Sequence, residues 1–430
     1  MSRWSWRARI DARRPERRLL WSALIPCGVL ILLSRWTDGW AGWPESAKVA
    51  AGYGALFFGL HGALVVLRPR ADMLLLPLVS VPCGIGLALL NRMDPLLAGR
   101  QLLALAAGGV ALVAVAVAAP RAPSHIAPVL GAGAVATLLL TAALGSEAGG
   151  ARAWLSVAGL RFLPVEAAKL VLVWCWGVML SRGMSPWLVV STAALASAGL
   201  VAQNEFGYPL ILFVTAIAMI YAATGRRGWL VGSLAAAVPL GFFAGDLPHV
   251  RNRVTAWLDP WADPLGAGYQ ALQGMFALSE GGLFGRAIGA GFPELLPAAH
   301  TDYILASVGE ELGLAGQLSV LGACGLLVAR AFAIARRAPG KRERLVSAGL
   351  GVLLGLQAVW MAGGVTRLLP LSGLGMPWLS YGGSAALANL ADISGRAQRA
   401  QRRGRGGRGR RRRGSIVAAR RRGAAPPGAD

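Results

Sequence analysis

Residues 300–313, HTDYILASVGEELG, bring His300, Thr301 and Asp302 to the point where a polar loop enters an apolar segment, then carry Glu310 and Glu311 into it. A carboxylate beside hydrocarbon is costly unless it is paired or put to use. On a single helix through the stretch, Glu310 would lie about 80° and Glu311 about 180° round from Asp302, about 12 Å further along. The three acids therefore form no single cluster. Glu310 and Glu311 read as polar contacts between helices, and Asp302 is the acid left at the boundary. Thr and Asp are also favoured helix N-caps, so capping by Thr301 or Asp302 is the structural alternative. His300 suits a structural hydrogen-bonding role as well as a chemical one. Further upstream, Glu166 and Lys169 are three residues apart on one expected helix face and read as a shielded ion pair. Glu205 sits at another expected membrane edge.

A membrane must position these groups. The 430 residues are 55% hydrophobic and 15% charged, with a mean hydropathy of +0.54, a composition of an integral membrane protein rather than a soluble one. Apolar runs of roughly 17–25 residues without period-2 alternation predict an all-α helical bundle and exclude a barrel. Twelve spans are expected, near 19–36, 47–67, 72–91, 101–119, 127–143, 164–182, 185–203, 206–224, 228–245, 303–335, 345–369 and 376–395. The tenth is long for one crossing, which predicts a projecting part or a tilt. The pair at 185–224 also reads as one span plus a re-entrant piece.

A net charge of +23 first suggests nucleic-acid binding, but the arginines crowd the first 18 residues, short loops and a tail at 396–422. That is the bias of a multi-pass protein with positive loops inside. Twelve spans with both termini in the cytoplasm put RPR (68–70), GRRG (225–228), RRAPGKRER (336–344) and the tail on one side. TDGWAGWPES, EAGGARAW and the long loop 246–301 fall outside. The tail reads as a disordered cytoplasmic anchor meeting anionic lipid, with no specific nucleic acid expected. LLWSALIPCGVLILLS reads as a first span rather than a cleavable signal. Cys27, Cys83, Cys175 and Cys324 lie in apolar segments without paired spacing, as core residues rather than a disulfide framework or metal site.

Four blocks in order carry a family resemblance: VRNRVTAWLDPWADPLGAGYQ, GGLFGRAIGAG, LPAAHTDYILASVGEELG and GGVTRLLPLSGLGMPWLSYGGSA. They resemble the SEDS family of shape, elongation, division and sporulation proteins, whose members include FtsW, RodA and SpoVE. GGARAWLSVAGLRFLPVEAAKL and QNEFGYPLIL are similar to two further family blocks. They keep Trp154, Pro164, Glu166 and Lys169 but depart at Leu163, Val165 and Glu205, and by Tyr-Pro after Gly207. The resemblance covers 149–395. It implies a ten-helix core, so that two extra N-terminal helices account for twelve spans. The chain then divides into a basic N-terminus (1–18), weakly matched spans (19–145), a SEDS-like core (146–395) and the tail (396–430).

The resemblance implies a peptidoglycan glycosyltransferase of the bacterial cytoplasmic membrane. It would polymerise lipid II on the outer face, beside a class B penicillin-binding protein that cross-links the strands. The family's catalytic acid maps onto Asp302. A carboxylate at the membrane surface could take the proton of a sugar hydroxyl while the lipid tail stays in the bilayer. The leaving diphosphate calls for positive charge, from Arg251, Arg253, Arg286 or Lys169, or for a divalent cation, Mg or Mn; no organic cofactor is expected. Glu205 corresponds to a family acid, and Trp154 to a tryptophan kept near the active site, or else to an interfacial anchor. In SYGGS, Ser380, Gly382 and Gly383 permit close helix approach, and the Asp-Pro pairs of WLDPWADP set turns. A lipid II flippase and a non-catalytic scaffold are the alternatives. A transporter would hold its key charges near the midplane and often shows internal repeats, whereas Asp302 is expected at the outer edge.

Overall fold

The computed structural model describes residues 5–69, 71–118, 123–148, 151–157, 160–235 and 248–381. The end of the ninth expected span, most of the twelfth with Gly382 and Gly383, and the tail at 396–430 lie outside the described residues.

The described chain is helical almost throughout. Helices α1 (Trp6–Ala12), α2 (Arg14–Leu33) and α3 (Trp43–Leu67) come first, followed by α4 (Leu75–Met93), α5 (Pro95–Ala118) and α6 (Ala127–Leu144). After a small sheet come α7 (Pro164–Ser181), α8 (Pro186–Ala202) and α9 (Gly207–Thr224), and a helical stretch at 228–235. The long loop holds α10 (Pro248–Leu258) and α11 (Tyr269–Gly281). Helices α12 (Ile304–Arg337) and α13 (Lys341–Val365) follow.

Eight of these helices are long and apolar enough to cross a membrane: α3 to α7, α9, α12 and α13. Helix α2 opens on the charged run RPERR. The 17 residues of α8 reach only about 26 Å at ~1.5 Å per residue, against a hydrocarbon core of about 30 Å. Both still pack as members of the bundle, and α8 and α9 are two separate helices packed on one another.

Three features go beyond the sequence reading. The basic N-terminus is helical from Trp6, and Arg13 and Glu16 are fully buried as an ion pair. Arg13 Nη1 also donates to the carbonyls of Arg68 (2.9 Å) and Ala71 (3.4 Å), while His61 Nδ1 lies 3.2 Å from Glu16 Oε2. Each of these buried charges has its opposite beside it. Secondly, α12 bends at Gly313 (φ 65°), where an added Cβ would meet Gly285 N at 2.4 Å. Its first turns, 304–312, pack against the long loop. Thirdly, a three-stranded antiparallel sheet, β1 (Ser146–Ala148), β2 (Ala151–Val157) and β3 (Leu160–Phe162), interrupts the helices.

Helix α4 is buried along nearly its whole length, packed by α2, α5 and α12. A Cβ on its Gly86 would meet the carbonyl of Leu379 at 2.4 Å, so the segment 376–381 lies directly on the α4 backbone.

Removing one partner of a buried ion pair leaves an uncompensated charge, at a cost of about 3–5 kcal/mol. Glu16→Ala should therefore lower the thermal unfolding midpoint in detergent well below that of the Arg13→Met, Glu16→Leu double variant. Equal losses would show that the charge itself is not what the pair offsets.

Candidate active site

Asp302 belongs to no helix. The turn before α12 is built on Ala298, whose positive φ of 54° lets its carbonyl accept from both Thr301 N (3.0 Å) and Tyr303 N (3.1 Å). The N-cap of α12 is Tyr303, with no side-chain capping bond, so neither Thr301 nor Asp302 caps the helix. Segment 376–381 straps this turn in place. Ser380 Oγ accepts from Met376 N (2.7 Å) and donates to Thr301 O (2.8 Å), and Tyr381 N donates to His300 O (3.0 Å). From α5, Gln101 Nε2 donates to Ser380 O at 3.2 Å.

The turn forms one wall of a cavity of about 1090 Å³, bounded otherwise by α5, α7, α10, α13 and the residues around 204–208. Asp302, His300, Ser380, Glu205, Glu166, Lys169, Trp154 and Arg253 all line it. Strand β2 brings Trp154 there, and Arg152 N donates to Gln203 O (2.9 Å), tying the sheet to the loop of Glu205.

Four expected site residues are elsewhere. Arg251 and Arg253 are two apart on α10, hence about 200° apart around it; Arg253 faces the cavity and Arg251 faces solvent. Arg286 pairs with Glu280 (3.1 Å) and lies over the Phe292 ring. Glu310 and Glu311 join no neighbouring helix. Their carboxylates accept from the backbone N–H of Phe292 and Gly289, each at 2.9 Å, and so hold the outer loop rather than a membrane span. Gly-rich backbone at 289–292 has donors to offer where an apolar neighbouring helix would have none.

The charged groups at the cavity divide into satisfied and unsatisfied. Lys169 is only 2% exposed, yet pairs with Glu166 (2.8 Å), donates to Gln357 Oε1 (3.1 Å) and lies over the Tyr208 ring. Tyr208 OH donates to the other Glu166 oxygen at 2.7 Å. Gln357 Nε2 donates to Gly375 O (2.8 Å), which carries the network into the loop 370–376. By contrast, Arg253 makes one long bond, to Leu371 O at 3.4 Å, and no close ion pair among the described residues. Its charge faces Asp302 and Glu205. Burial pushes the Asp302 carboxyl up to about 6, against the opposing pull of Arg253 and a hydrogen bond from Thr301. Burial likewise pushes Glu205 up to about 7, opposed by Arg253 and reinforced by the negative charges of Asp302 and Glu166. Burial lowers His300, which keeps the imidazole neutral near pH 7.

Gly373 is the closest structural link between the two sides. Its φ is +74°, and a Cβ there would stand 3.6 Å from Arg253 Nη2 and 3.8 Å from Asp302 Oδ2. The sequence reading missed this residue, as well as Gln357, Tyr208, Arg100 and Arg367. Gln357 had a signal, a polar group inside the expected span 345–369, and so had Arg367. Arg100 falls just ahead of the expected span 101–119 and had no such signal. Arg367 is held at φ 59° by a reciprocal pair of bonds, Nη2 to Trp257 O (2.8 Å) and Trp257 Nε1 to Arg367 O (2.9 Å).

Gly373→Ala would strain a left-handed position and set a methyl against both the guanidinium and the carboxylate. Since a shift of ~1 Å can cost about 10²-fold in rate, turnover should fall by that order with the protein still folded. An unchanged rate would dissociate the loop from the chemistry.

The FtsW/RodA/SpoVE cell cycle protein model matches residues 73–395. Peptidoglycan glycosyltransferase RodA of Mycobacterium tuberculosis (strain ATCC 25618 / H37Rv) is 33% identical over 423 residues, 88% of this chain and 89% of its own. The probable peptidoglycan glycosyltransferase FtsW of Geobacter sp. (strain M18) is 35% identical over 266 residues, 59% of this chain and 72% of its own. Among solved structures, a chain of a peptidoglycan synthase complex that coordinates polymerization and crosslinking is 29% identical with a TM-score of 0.66, over 77% of this chain and 98% of that one. The rod shape determining protein RodA of Thermus thermophilus is 26% identical with a TM-score of 0.58, over 76% and 97%. With the match beginning just before α4, running through every wall of the cavity and leaving α1 to α3 ahead of it, this chain belongs to the FtsW/RodA/SpoVE family of cell cycle proteins.

Proposed function

We propose that this multi-pass membrane protein is a peptidoglycan glycosyltransferase that polymerises lipid II, with Asp302 as the general base. The observation that carries this reading is the juxtaposition of a half-buried, weakly compensated carboxyl, Asp302, with Arg253, which has no close ion pair among the described residues, at one cavity. In the proposed step the acceptor sugar hydroxyl attacks the anomeric carbon of the donor. Its proton passes to a carboxylate oxygen of Asp302 as the bond from that carbon to the diphosphate breaks. A single displacement with inversion needs one base and no covalent sugar–enzyme intermediate.

Arg253 is better suited than Lys169 to the departing diphosphate, because the charge of Lys169 is already neutralised by Glu166. Lys169 and Glu166 then act on the shape of the site, through Gln357 and the loop 370–376. Trp154, His300 and Glu205 line the wall where the sugars would lie. Among the described residues no three His, Cys, Asp or Glu side chains gather to hold a metal ion, and Asp302 and Glu205 already share the field of Arg253. A resident divalent cation does not fit this donor set, and no step is routed through one. Mg or Mn is proposed only as a companion of the substrate diphosphate.

Two sets of contacts support an orientation. Trp36 meets Ile288 on one side of the bundle, and Arg13 meets Arg68 while Arg330 pairs with Asp72 on the other. The second side carries the basic loops, which supports a cytoplasmic assignment for it and for both termini, and an outward-facing cavity in the cytoplasmic membrane. A class B penicillin-binding protein is the proposed partner, by likeness to the synthase complex that coordinates polymerization with crosslinking.

The test is polymerisation of labelled lipid II by the full chain in proteoliposomes with its transpeptidase. Asp302→Asn should abolish glycan chains; chains that persist would remove Asp302 as the base, and translocation without polymerisation would favour a flippase. A base works as the carboxylate, so kcat/KM should fall as pH drops below about 6 and level off above it. Arg253 lowers that value, so Arg253→Gln should move the acid limb to higher pH as well as slow the reaction. An unmoved limb would mean that another group titrates.

A further inference from the structure

We propose that Trp36, on the turn between α2 and α3, is a positioning residue for the outer loop, through which the helices ahead of the family match set the turnover of the polymerase. The segment 285–292 (GRAIGAGF) is clamped from three directions. Glu311 and Glu310 of α12 accept from Gly289 N and Phe292 N. Arg92, at the end of α4, donates to Gly289 O at 3.1 Å. Trp36 donates its indole N–H to Ile288 O at 2.6 Å. The indole lies directly on the loop because residue 289 is glycine, with φ +85°; a Cβ there would be 3.0 Å from the ring and 3.1 Å from Ser34 O.

The turn that carries Trp36 is itself fixed. Arg35 pairs with Asp38. Buried Asn91 of α4 donates to Ser34 Oγ (2.8 Å) and Ser46 Oγ (2.9 Å), one on each side of the turn. Trp36 therefore transmits the position of a rigid element. At the other end, the clamped segment follows α11, and α11 bears on the turn of Asp302 at two points. Gln270 Nε2 donates to Pro297 O at 3.3 Å, and Gly274 lies so close that a Cβ would meet the Tyr303 ring at 2.3 Å. A displacement at Ile288 is thus passed to both ends of 297–303.

Trp40 provides the contrast. It lies on the same turn, is 88% exposed and makes no hydrogen bond among the described residues. It has only the interfacial role that a tryptophan at a membrane surface has by default.

The inference rests on the glycosyltransferase reading for its kinetic arm but not for its structural one. In the full chain, Trp36→Phe keeps an aromatic ring and removes the donor. Loss of one such bond should lower kcat on lipid II about three- to tenfold with KM unchanged, and backbone amides of 285–292 should exchange hydrogen faster in the absence of substrate. Trp40→Phe should change neither. Unchanged exchange at 285–292 in Trp36→Phe would overturn the proposal whatever the activity. So would equal effects from Trp40→Phe, or a rise in KM with kcat intact. Faster exchange without any polymerisation in the parent chain would leave the clamp standing and count instead against the catalytic reading.

Discussion

An ionised group in a low-dielectric interior must be neutralised, hydrogen-bonded or made to carry a function, and the arrangement of this protein follows from how each of its buried charges meets that condition. Arg13 and Glu16 neutralise one another and, through two carbonyls, close the inner ends of the first helices. Glu166 and Lys169 do the same inside the core, with Tyr208 and Gln357 occupying what remains. Glu310 and Glu311 are satisfied by main-chain N–H groups of a loop. Once these are accounted for, Asp302, Glu205 and Arg253 are left at one cavity without close pairing. Burial without full compensation is what lifts both carboxyl groups into a range where they can exchange protons near neutral pH.

The same condition explains the glycines of the outer loop. A carboxylate can bind backbone N–H only if the backbone comes within about 3 Å of it. A Cβ at Gly291 would strike Glu311 Cγ at 2.7 Å, and one at Gly285 would strike the Glu311 carbonyl at 2.2 Å. GGLFGRAIGAG and GEELG are two halves of one joint: the acids need bare backbone, and the bare backbone needs acceptors. Because the joint closes immediately beyond Asp302, the two turns that open α12 are rigid, and the bend at Gly313 lets the rest of the helix cross the bilayer at its own angle.

Much of this was legible in the sequence, for physical reasons that also mark where legibility ends. Hydrophobic runs depend on composition over some twenty residues and gave the spans from α3 to α9 and α12 to α13 nearly to their ends. Side-chain spacing on one helix gave the Glu166–Lys169 pair, since three residues return to the same face. Groups whose partners are distant in the chain were not legible. Nothing local tells that Glu311 meets Gly289 rather than another helix, that Arg253 and not Arg251 turns inward, or that Gly373 comes between Arg253 and Asp302. The capping alternative for Thr301 or Asp302 does not hold, because the chain turns once more, at Ala298, before the helix begins. Of the three strands near Trp154, the two flanking ones, of three residues each, were hidden by their length.

The division between pairing and function bears on how substitutions in such a site should be read. Lys169 and Asp302 line the same cavity but stand in it differently. Without Lys169, buried Glu166 keeps only the Tyr208 hydroxyl, and Gln357 loses the partner that steadies its bond to Gly375; the loop with Gly373 is then free to shift. Without Asp302 the framework stands and the cavity keeps its shape, because no hydrogen bond of the strap at 376–381 uses the Asp302 side chain. A group that takes the reacting proton is best held by its neighbours' backbone and kept out of the network that holds them, and in this cavity Asp302 meets that description while Lys169 does not.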